Sequence, residues 1–239
     1  MTMFKWIKHV NLNGFTLIIP SISVGNVPQL TVDLLISNFN FQKTGIIWHP
    51  AIVCSVGADP FNETSEDICT ACELYTNESL QLAVIQLRTT LEFRLVTKFF
   101  DDLKTEILEH KIANIIILSS GYDYELHLID RGKYFYIDSQ GTKKELEQNG
   151  VIPIEPDNGK YTVHGGGYSV TLFEFLKGVC HCTLLVKYVS EGDNRPDAIS
   201  VMQVLYKFIE GLKNASIDNV IYPYSWAYVF GGPPPIGMY

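Results

Sequence analysis

Four cysteines and one histidine stand at spacings that could hold a metal ion. Cys69 and Cys72 are separated by two residues, and Cys180-His181-Cys182 offers three further donors. Structural zinc sites use such ligands, but each ligand pair is usually separated by about two to four residues. The cysteines of the second group have one residue between them, and both groups fall in predicted strands or loops. The spacing favours buried thiols, and we expect no metal ligand here.

Two glycine-bearing loops could bind an anion through backbone N–H groups. Gly165-Gly166-Gly167 precedes a predicted helix, and Gly25 lies in the turn before another. Helix N-termini and successive backbone amides favour anions. Neither loop has the glycine and lysine spacing of a nucleotide site. We therefore favour loops in which glycine permits a positive φ or a close backbone approach.

A pair of acids follows a predicted buried strand, at Glu191 and Asp193. Open α/β sheets bind ligands at the carboxyl ends of their strands, and two carboxyl groups there could act as general acid and base. Asp193 or Asn194 could instead cap the next helix. No serine with a placed histidine accompanies the acids. We expect no catalytic residue and no cofactor.

The predicted elements that position these residues alternate between strand and helix. Residues 14–37 read as a buried strand that ends at Pro20, a polar turn, and a helix with Pro28 in its first turn. Residues 112–119 and 182–189 are the most apolar strands and belong at the sheet centre. This order predicts an α/β fold with parallel crossovers. Further strands are predicted at 45–53, 71–75, 80–89 and 134–137, helices at 95–110, 142–148, 168–176 and 194–213, and a polar loop at 57–67.

Length and charge narrow the class of protein. The chain has 239 residues, of which 46% are hydrophobic, and a net charge of −8. This charge repels phosphate backbones, so we expect no nucleic-acid partner. No apolar run is long enough for a membrane span, and no secretory signal is expected. We predict a single domain over 1–230, a flexible Gly/Pro-rich tail over 231–239, and a reducing cellular compartment.

Four blocks of this sequence resemble the proteasome assembly chaperone family. They are GFTLIIPSISVGNVPQLTVDLLIS (14–37), GGG (165–167), VSEGDNRPDA (189–198) and SWAYVFGGPPP (225–235). The blocks follow the family's order and span almost the whole chain. The resemblance implies a three-layer α/β/α sandwich with a central, largely parallel sheet, similar to nucleoside phosphorylases but without their activity. Separately, the five cysteines read as reduced thiols, which predicts a location in the cytoplasm and nucleus.

The resemblance further implies partners. Such a chain forms a heterodimer with proteasome assembly chaperone 1, and the pair holds proteasome α-subunits while their ring forms. C-terminal tails of this kind dock between α-subunits, which implies partner-binding roles for Ile236, Gly237, Met238 and Tyr239. The family pattern places tyrosine second from the end. Here Met238 occupies that position and Tyr239 is last, so the docking register stays open.

The sequence leaves two alternatives to the function of a chaperone. One is a nucleoside phosphorylase-like enzyme that uses Gly165–Gly167 as a phosphate nest and Glu191 or Asp193 as the proton carrier. Only Lys160 and Arg195 flank these loops closely, which argues against a phosphate site. The other is an interaction domain whose Pro-rich tail is bound by an aromatic groove. A partner is also predicted by apolar residues that one domain would leave exposed, namely Phe4, Trp6, Trp226 and Phe230.

Overall fold

A nine-stranded sheet organises the chain. The computed structural model describes residues 2–126, 133–141, 143–213 and 219–228. The strands of these residues are β1 (Phe4–Trp6), β2 (Thr16–Pro20), β3 (Gln42–Ile47), β4 (Val56–Ala58), β5 (Ile68–Thr70), β6 (Cys72–Asn77), β7 (Leu82–Leu87), β8 (Asn114–Tyr122), β9 (Tyr134–Asp138), β10 (Ile152–Pro153) and β11 (His181–Val189). The large sheet has the order β1-β3-β6-β7-β2-β8-β11-β9-β10, and β4 and β5 form a separate two-stranded ribbon.

Parallel pairing holds the centre of the sheet. Strand β8 pairs in parallel with β2 and with β11, and β2 pairs in parallel with β7. The apolar run Ile115–Leu118 of β8 is buried on both faces, as expected for a strand covered by helices on both sides. Antiparallel pairs lie outside this centre, at β1–β3, β3–β6, β6–β7 and β11–β9. The predicted α/β fold around a central parallel sheet is confirmed.

Helices cover both faces of the sheet. They are α1 (Val27–Asn38), α2 (Val96–Glu109), α3 (Lys144–Gln148), α4 (Ser169–Leu176) and α5 (Arg195–Phe208). Helices α2 and α4 bury Phe100, Leu103 and Phe173 in the core on one face. Helices α1, α3 and α5 form a second core on the other, around Leu35 and Met202. The predicted three-layer α/β/α sandwich is therefore observed. No helix of the described ranges is long and apolar enough to cross a membrane.

Several predicted boundaries differ from the structure, among them the end of the helix predicted over 194–213, which in α5 is Phe208. The strand predicted over 45–53 ends at Ile47, because the chain then turns: the Ala51 N–H donates to His49 Nδ1 at 3.0 Å. The loop predicted over 57–67 is the connection of the β4–β5 ribbon. Each ribbon strand has only three residues, too few to show an alternating pattern in the sequence.

A buried carboxylate attaches the first strand to helix α2. The Met3 and Phe4 N–H groups both donate to Glu106 Oε1, the latter at 3.3 Å, and Glu106 is 3% exposed. The His110 ring stacks on Phe4 with 5.5 Å between ring centroids. Because β1 has three residues and a single strand partner, these contacts supply much of its attachment.

We predict that Glu106→Ala lowers the free energy of unfolding by about 1–3 kcal/mol, because two N–H donors near the core lose their acceptor. Urea unfolding followed by fluorescence measures this change. Glu109→Ala, an exposed position of the same helix, is the control and should change stability little. Equal stability of the two variants would show that β1 does not depend on the carboxylate.

Candidate functional site

Three loops meet at the carboxyl ends of the central strands. We call residues 21–26, 165–167 and 190–194 the strand-end loops. The carbonyl oxygen of Gly166 accepts hydrogen bonds from Ser21 Oγ at 2.9 Å and Ser119 Oγ at 3.2 Å. The Val24 N–H donates to the Gly165 carbonyl at 3.1 Å. Two of the four blocks that carry the family resemblance, 14–37 and 165–167, thus contact each other.

The glycines of the strand-end loops allow backbone contact that no side chain would permit. A Cβ on Gly165 would lie 2.3 Å from Val24 Cγ2, and one on Gly167 would lie 2.0 Å from the carbonyl oxygen of Ile22. Both glycines have positive φ, +80° and +60°. A Cβ on Gly25 would lie 2.3 Å from the Asn194 side chain. The geometry supports close backbone approach as the role of these glycines.

One of the two acids of the third loop, Asp193, bonds the start of helix α5. Asp193 Oδ1 accepts from the Arg195 backbone N–H at 3.2 Å, and its carboxylate pairs with the Arg195 guanidinium at 2.7 Å. These hydrogen bonds hold the pKa of Asp193 below its usual range. Asn194 is the N-cap residue, and its Nδ2 donates to the Ser190 carbonyl at 2.8 Å. Glu191 is exposed. This geometry gives the enzyme alternative no support.

The sheet order separates the two cysteine groups. Cys72 lies in β6 and Cys182 in β11, and three strands stand between them. Strands in a sheet are spaced by roughly 4.8 Å, which puts the two groups about 19 Å apart. They cannot share one ion. Across the described ranges, no group of three or more His, Cys, Asp or Glu residues could hold a metal. Burial raises the pKa of the Cys180 thiol to about 11.

The C-terminal segment (residues 219–228) is anchored to the body at three points. The Asn38 side chain exchanges hydrogen bonds with the Ile221 backbone, both at 2.8 Å. The Ser225 N–H donates to the Pro60 carbonyl at 3.0 Å, and the Tyr224 hydroxyl bonds Glu63. Trp226 is buried in the core on the α1 and α5 face. The described chain up to Tyr228 is therefore held on the folded body.

Two residues that the sequence predicts to be exposed, Phe4 and Trp226, are buried in the structure. Phe4 and Trp226 are 2% and 4% exposed, because β1 is held on α2 and the C-terminal segment returns to the core. Trp6 is partly buried. Phe230 and the predicted partner-binding residues Ile236, Gly237, Met238 and Tyr239 lie outside the described residues, so their role stays a prediction.

Two concave surfaces flank the C-terminal segment. A cavity of about 350 Å³ lies between the end of α1, strand β3 and the loop of the β4–β5 ribbon. An open groove of about 620 Å³ is lined by Pro196, Ile199 and the aromatic rings of the C-terminal segment. Tyr222, 53% exposed, contributes to both. Residues 229–239 continue the sequence from Tyr228, the last described residue of the C-terminal segment.

A cluster of polar and charged side chains around the buried Glu73 lines part of the 350 Å³ cavity. Glu73, 1% exposed, lies 2.5 Å from Lys43 Nζ and accepts from the Thr70 N–H at 2.8 Å and the Tyr75 hydroxyl at 2.7 Å. Burial alone would raise the pKa of Glu73, but the bonds from Lys43, Thr70 and Tyr75 outweigh it and hold the pKa below its usual value. Lys43 also donates to the Ile68 carbonyl of β5 at 2.8 Å. The cluster joins the large sheet to the ribbon.

Two solved structures with this architecture are described in relation to the proteasome. PbaA of Pyrococcus furiosus, described as an archaeal homolog of proteasome-assembly chaperone, matches with a TM-score of 0.67 and 18% identity over 90% of this chain and 88% of that chain. PbaB of the same organism, described as an archaeal proteasome activator, matches at 0.62 with 14% identity over 90% of each chain. The chain therefore has the α/β fold of the proteasome-assembly chaperone homologs.

Sequence relatives specify the family. Proteasome assembly chaperone 2 of Homo sapiens is 32% identical over 252 residues, which cover 94% of this chain and 95% of that protein. The protein of the same name from Mus musculus is 31% identical over the same shares. No model of a protein family matches the chain. At this identity and coverage, the chain belongs to the proteasome assembly chaperone 2 family.

We predict that Gly167→Ala lowers the free energy of unfolding by at least about 3 kcal/mol, since the new Cβ collides with the Ile22 carbonyl in a backbone region that L-residues avoid. Gly159 also has a positive φ, +77°, but has open space around it. Gly159→Ala is therefore the matched control and should cost about 1–2 kcal/mol from backbone strain alone. Similar losses in urea unfolding would refute the close approach.

We predict that Glu73→Gln destabilises the protein at neutral pH by roughly 1–3 kcal/mol, because a buried ionised acceptor is lost. The folded-state pKa lies below the ordinary value of 4.5, so the carboxylate's contribution is complete above 4.5 and is lost as the pH falls through the folded-state pKa. Urea unfolding between about pH 3 and pH 7 should show the variant and the wild type converging at the acid end. Glu66→Gln, at an exposed position, is the control. A difference that does not change with pH would contradict this account.

Proposed function

We propose that the protein is a subunit of a proteasome assembly chaperone that binds proteasome α-subunits while their ring forms. In this proposal it acts as a heterodimer with proteasome assembly chaperone 1, by binding and without turnover, in the cytoplasm and nucleus. The observation that carries the proposal is the 32% identity to human proteasome assembly chaperone 2 over 94% of the chain. The likeness to PbaA and PbaB supports it at the level of the fold.

The surface supports a function in protein binding. Several large apolar side chains are strongly exposed, among them Trp48 at 50% and Phe93 at 78%. Val53 and Phe93 flank the bridge between Ile52 and Leu91. Exposed apolar surface of this kind marks interaction sites when it is contiguous. An obligate heterodimer interface would bury on the order of 2,000 Å² or more.

The anchored C-terminal segment supports docking through the tail. Trp226 and Ser225 fix the point from which residues 229–239 continue. A pocket that buried Tyr239 would cover about 150–250 Å², worth roughly 4–6 kcal/mol before the cost of ordering the tail. After that cost a single tail binds weakly. It becomes effective when a second contact raises its local concentration.

A direct reconstitution tests the proposal. The chain is co-expressed with proteasome assembly chaperone 1, and the purified pair is mixed with individually purified α-subunits. Size-exclusion chromatography should show a stable heterodimer and a larger complex that contains α-subunits. A chain that remains a well-folded monomer beside its partner, and elutes apart from every α-subunit, would overturn the proposal.

We predict that deletion of residues 237–239 leaves folding and heterodimer formation intact but weakens binding to α-subunits by about tenfold or more, since the aromatic anchor is lost. Biolayer interferometry on immobilised α-subunits measures the change. Replacing 237–239 by three serines keeps the length and serves as a control that should bind as weakly as the deletion. If both variants bind like the full chain, the tail is not the docking element.

A further inference from the structure

The β4–β5 ribbon and its loop form a surface hairpin that we call the arm (residues 56–70). Strands β4 and β5 pair with each other and stand apart from the nine-stranded sheet. All three residues of β4 are exposed, with Val56 at 76%, and Ile68 of β5 is 61% exposed. An isolated two-stranded ribbon has little stability in water. This arm must therefore be held by other contacts.

The base of the arm supplies those contacts. The Phe61 ring meets Tyr75 edge to face at 5.9 Å between centroids, and the Arg88 guanidinium lies 5.8 Å from the Phe61 centroid. The Ser225 N–H donates to the Pro60 carbonyl, and Lys43 donates to the Ile68 carbonyl. Turn contacts order the loop itself, such as the Asp67 N–H donating to Ser65 Oγ at 3.1 Å. The exposed apolar residues are thus presented on an ordered element, which reduces the entropy lost on binding.

The charge of the arm is of one sign. It contains four acids and no lysine or arginine, and neither basic residue occurs anywhere between residues 44 and 87. Glu66 and Asp67 are exposed and stand next to Ile68 in the sequence. An apolar patch bordered by carboxylates complements an apolar patch bordered by lysine or arginine. This pattern can be read in the sequence, as a stretch of 44 residues without lysine or arginine.

The arm also lies beside the start of the tail. The Tyr224 hydroxyl donates a hydrogen bond to the Glu63 carboxylate of the arm, and the Ser225 N–H donates to the Pro60 carbonyl. Residues 229–239 can reach at most about 36–40 Å from Tyr228 when fully extended. A protein that receives the tail is therefore close enough to contact the arm at the same time.

We propose that the arm is a second docking element, with Val56 and Ile68 against an apolar patch and Glu66 and Asp67 against lysine or arginine side chains on the α-subunit surface that receives the tail. This inference rests on the proposed function. Two weak contacts on one partner act together, because the first raises the effective concentration of the second. The charged border makes association dependent on ionic strength.

The test uses the purified heterodimer and the α-subunits that bind it. The arm variants are Glu66→Lys with Asp67→Lys, and Val56→Ser with Ile68→Ser. Glu109→Lys with Glu155→Lys reverses two exposed acids elsewhere, and Leu108→Ser changes an apolar residue that is 53% exposed. We expect each arm variant to weaken binding by about tenfold and the charge reversal to flatten its dependence on salt. The two control variants should bind like the wild type.

Each outcome decides the proposal. Arm variants that keep the wild-type unfolding midpoint and still bind α-subunits with wild-type affinity would overturn it. Variants that lose the heterodimer would also overturn it, because the arm would then contact the other chaperone subunit. If the wild-type heterodimer binds no α-subunit, the proposed function fails first, and this inference falls with it. Weaker α-subunit binding with an intact heterodimer supports it.

Discussion

The close packing of backbone at the strand-end loops is the constraint on which the rest of the structure depends. Gly167 lies against the Ile22 carbonyl, and Gly165 lies against Val24, at distances that leave no room for a Cβ. Ser21 and Ser119 supply the hydrogen bonds that the Gly166 carbonyl needs once it leaves water. These contacts join the loop that follows β2 and the strand β8 to the loop before α4, and Gly25 packs against Asn194 of the loop that follows β11. The central strands and their crossovers are thereby held in one arrangement.

This constraint also bears on how the fold is used. Open α/β sheets bind small ligands at the carboxyl ends of their strands. In this protein, side chains and carbonyl groups of its own loops occupy the space beside the glycines there. Two concave surfaces of the protein lie beside the C-terminal segment, and one of them borders the arm, β3 and β6. Buried Asp33 pairs with partly buried Arg88 at 2.7 Å, and this pair and the Glu73 cluster join β6 and β7 to their neighbouring elements.

Local patterns in the sequence predicted the elements well, because helix and strand periodicity reflects burial. The helix over 95–110 and the central strand over 112–119 are found at α2 and β8 with small shifts of their ends. The close-approach role of Gly165–Gly167 was predicted, but its contacts with Ser21 and Val24 were not. Those contacts join residues more than 140 positions apart, and no local pattern encodes them.

Burial of single residues was harder to predict for the same reason. Phe4 is buried because a carboxylate about a hundred residues away binds its N–H, and Trp226 is buried because Asn38 and Pro60 hold the C-terminal segment on the body. The arm was hidden by the shortness of its strands. The tail site rested on resemblance alone, since a docking sequence shows no periodicity.

The most direct test of the central claim is affinity purification of the endogenous protein, tagged away from the tail, followed by mass spectrometry of the proteins it retains. The account predicts that proteasome α-subunits and proteasome assembly chaperone 1 are recovered together, in excess over subunits found only in the completed particle. Recovery of neither, from cells in which proteasomes are being assembled, would contradict it.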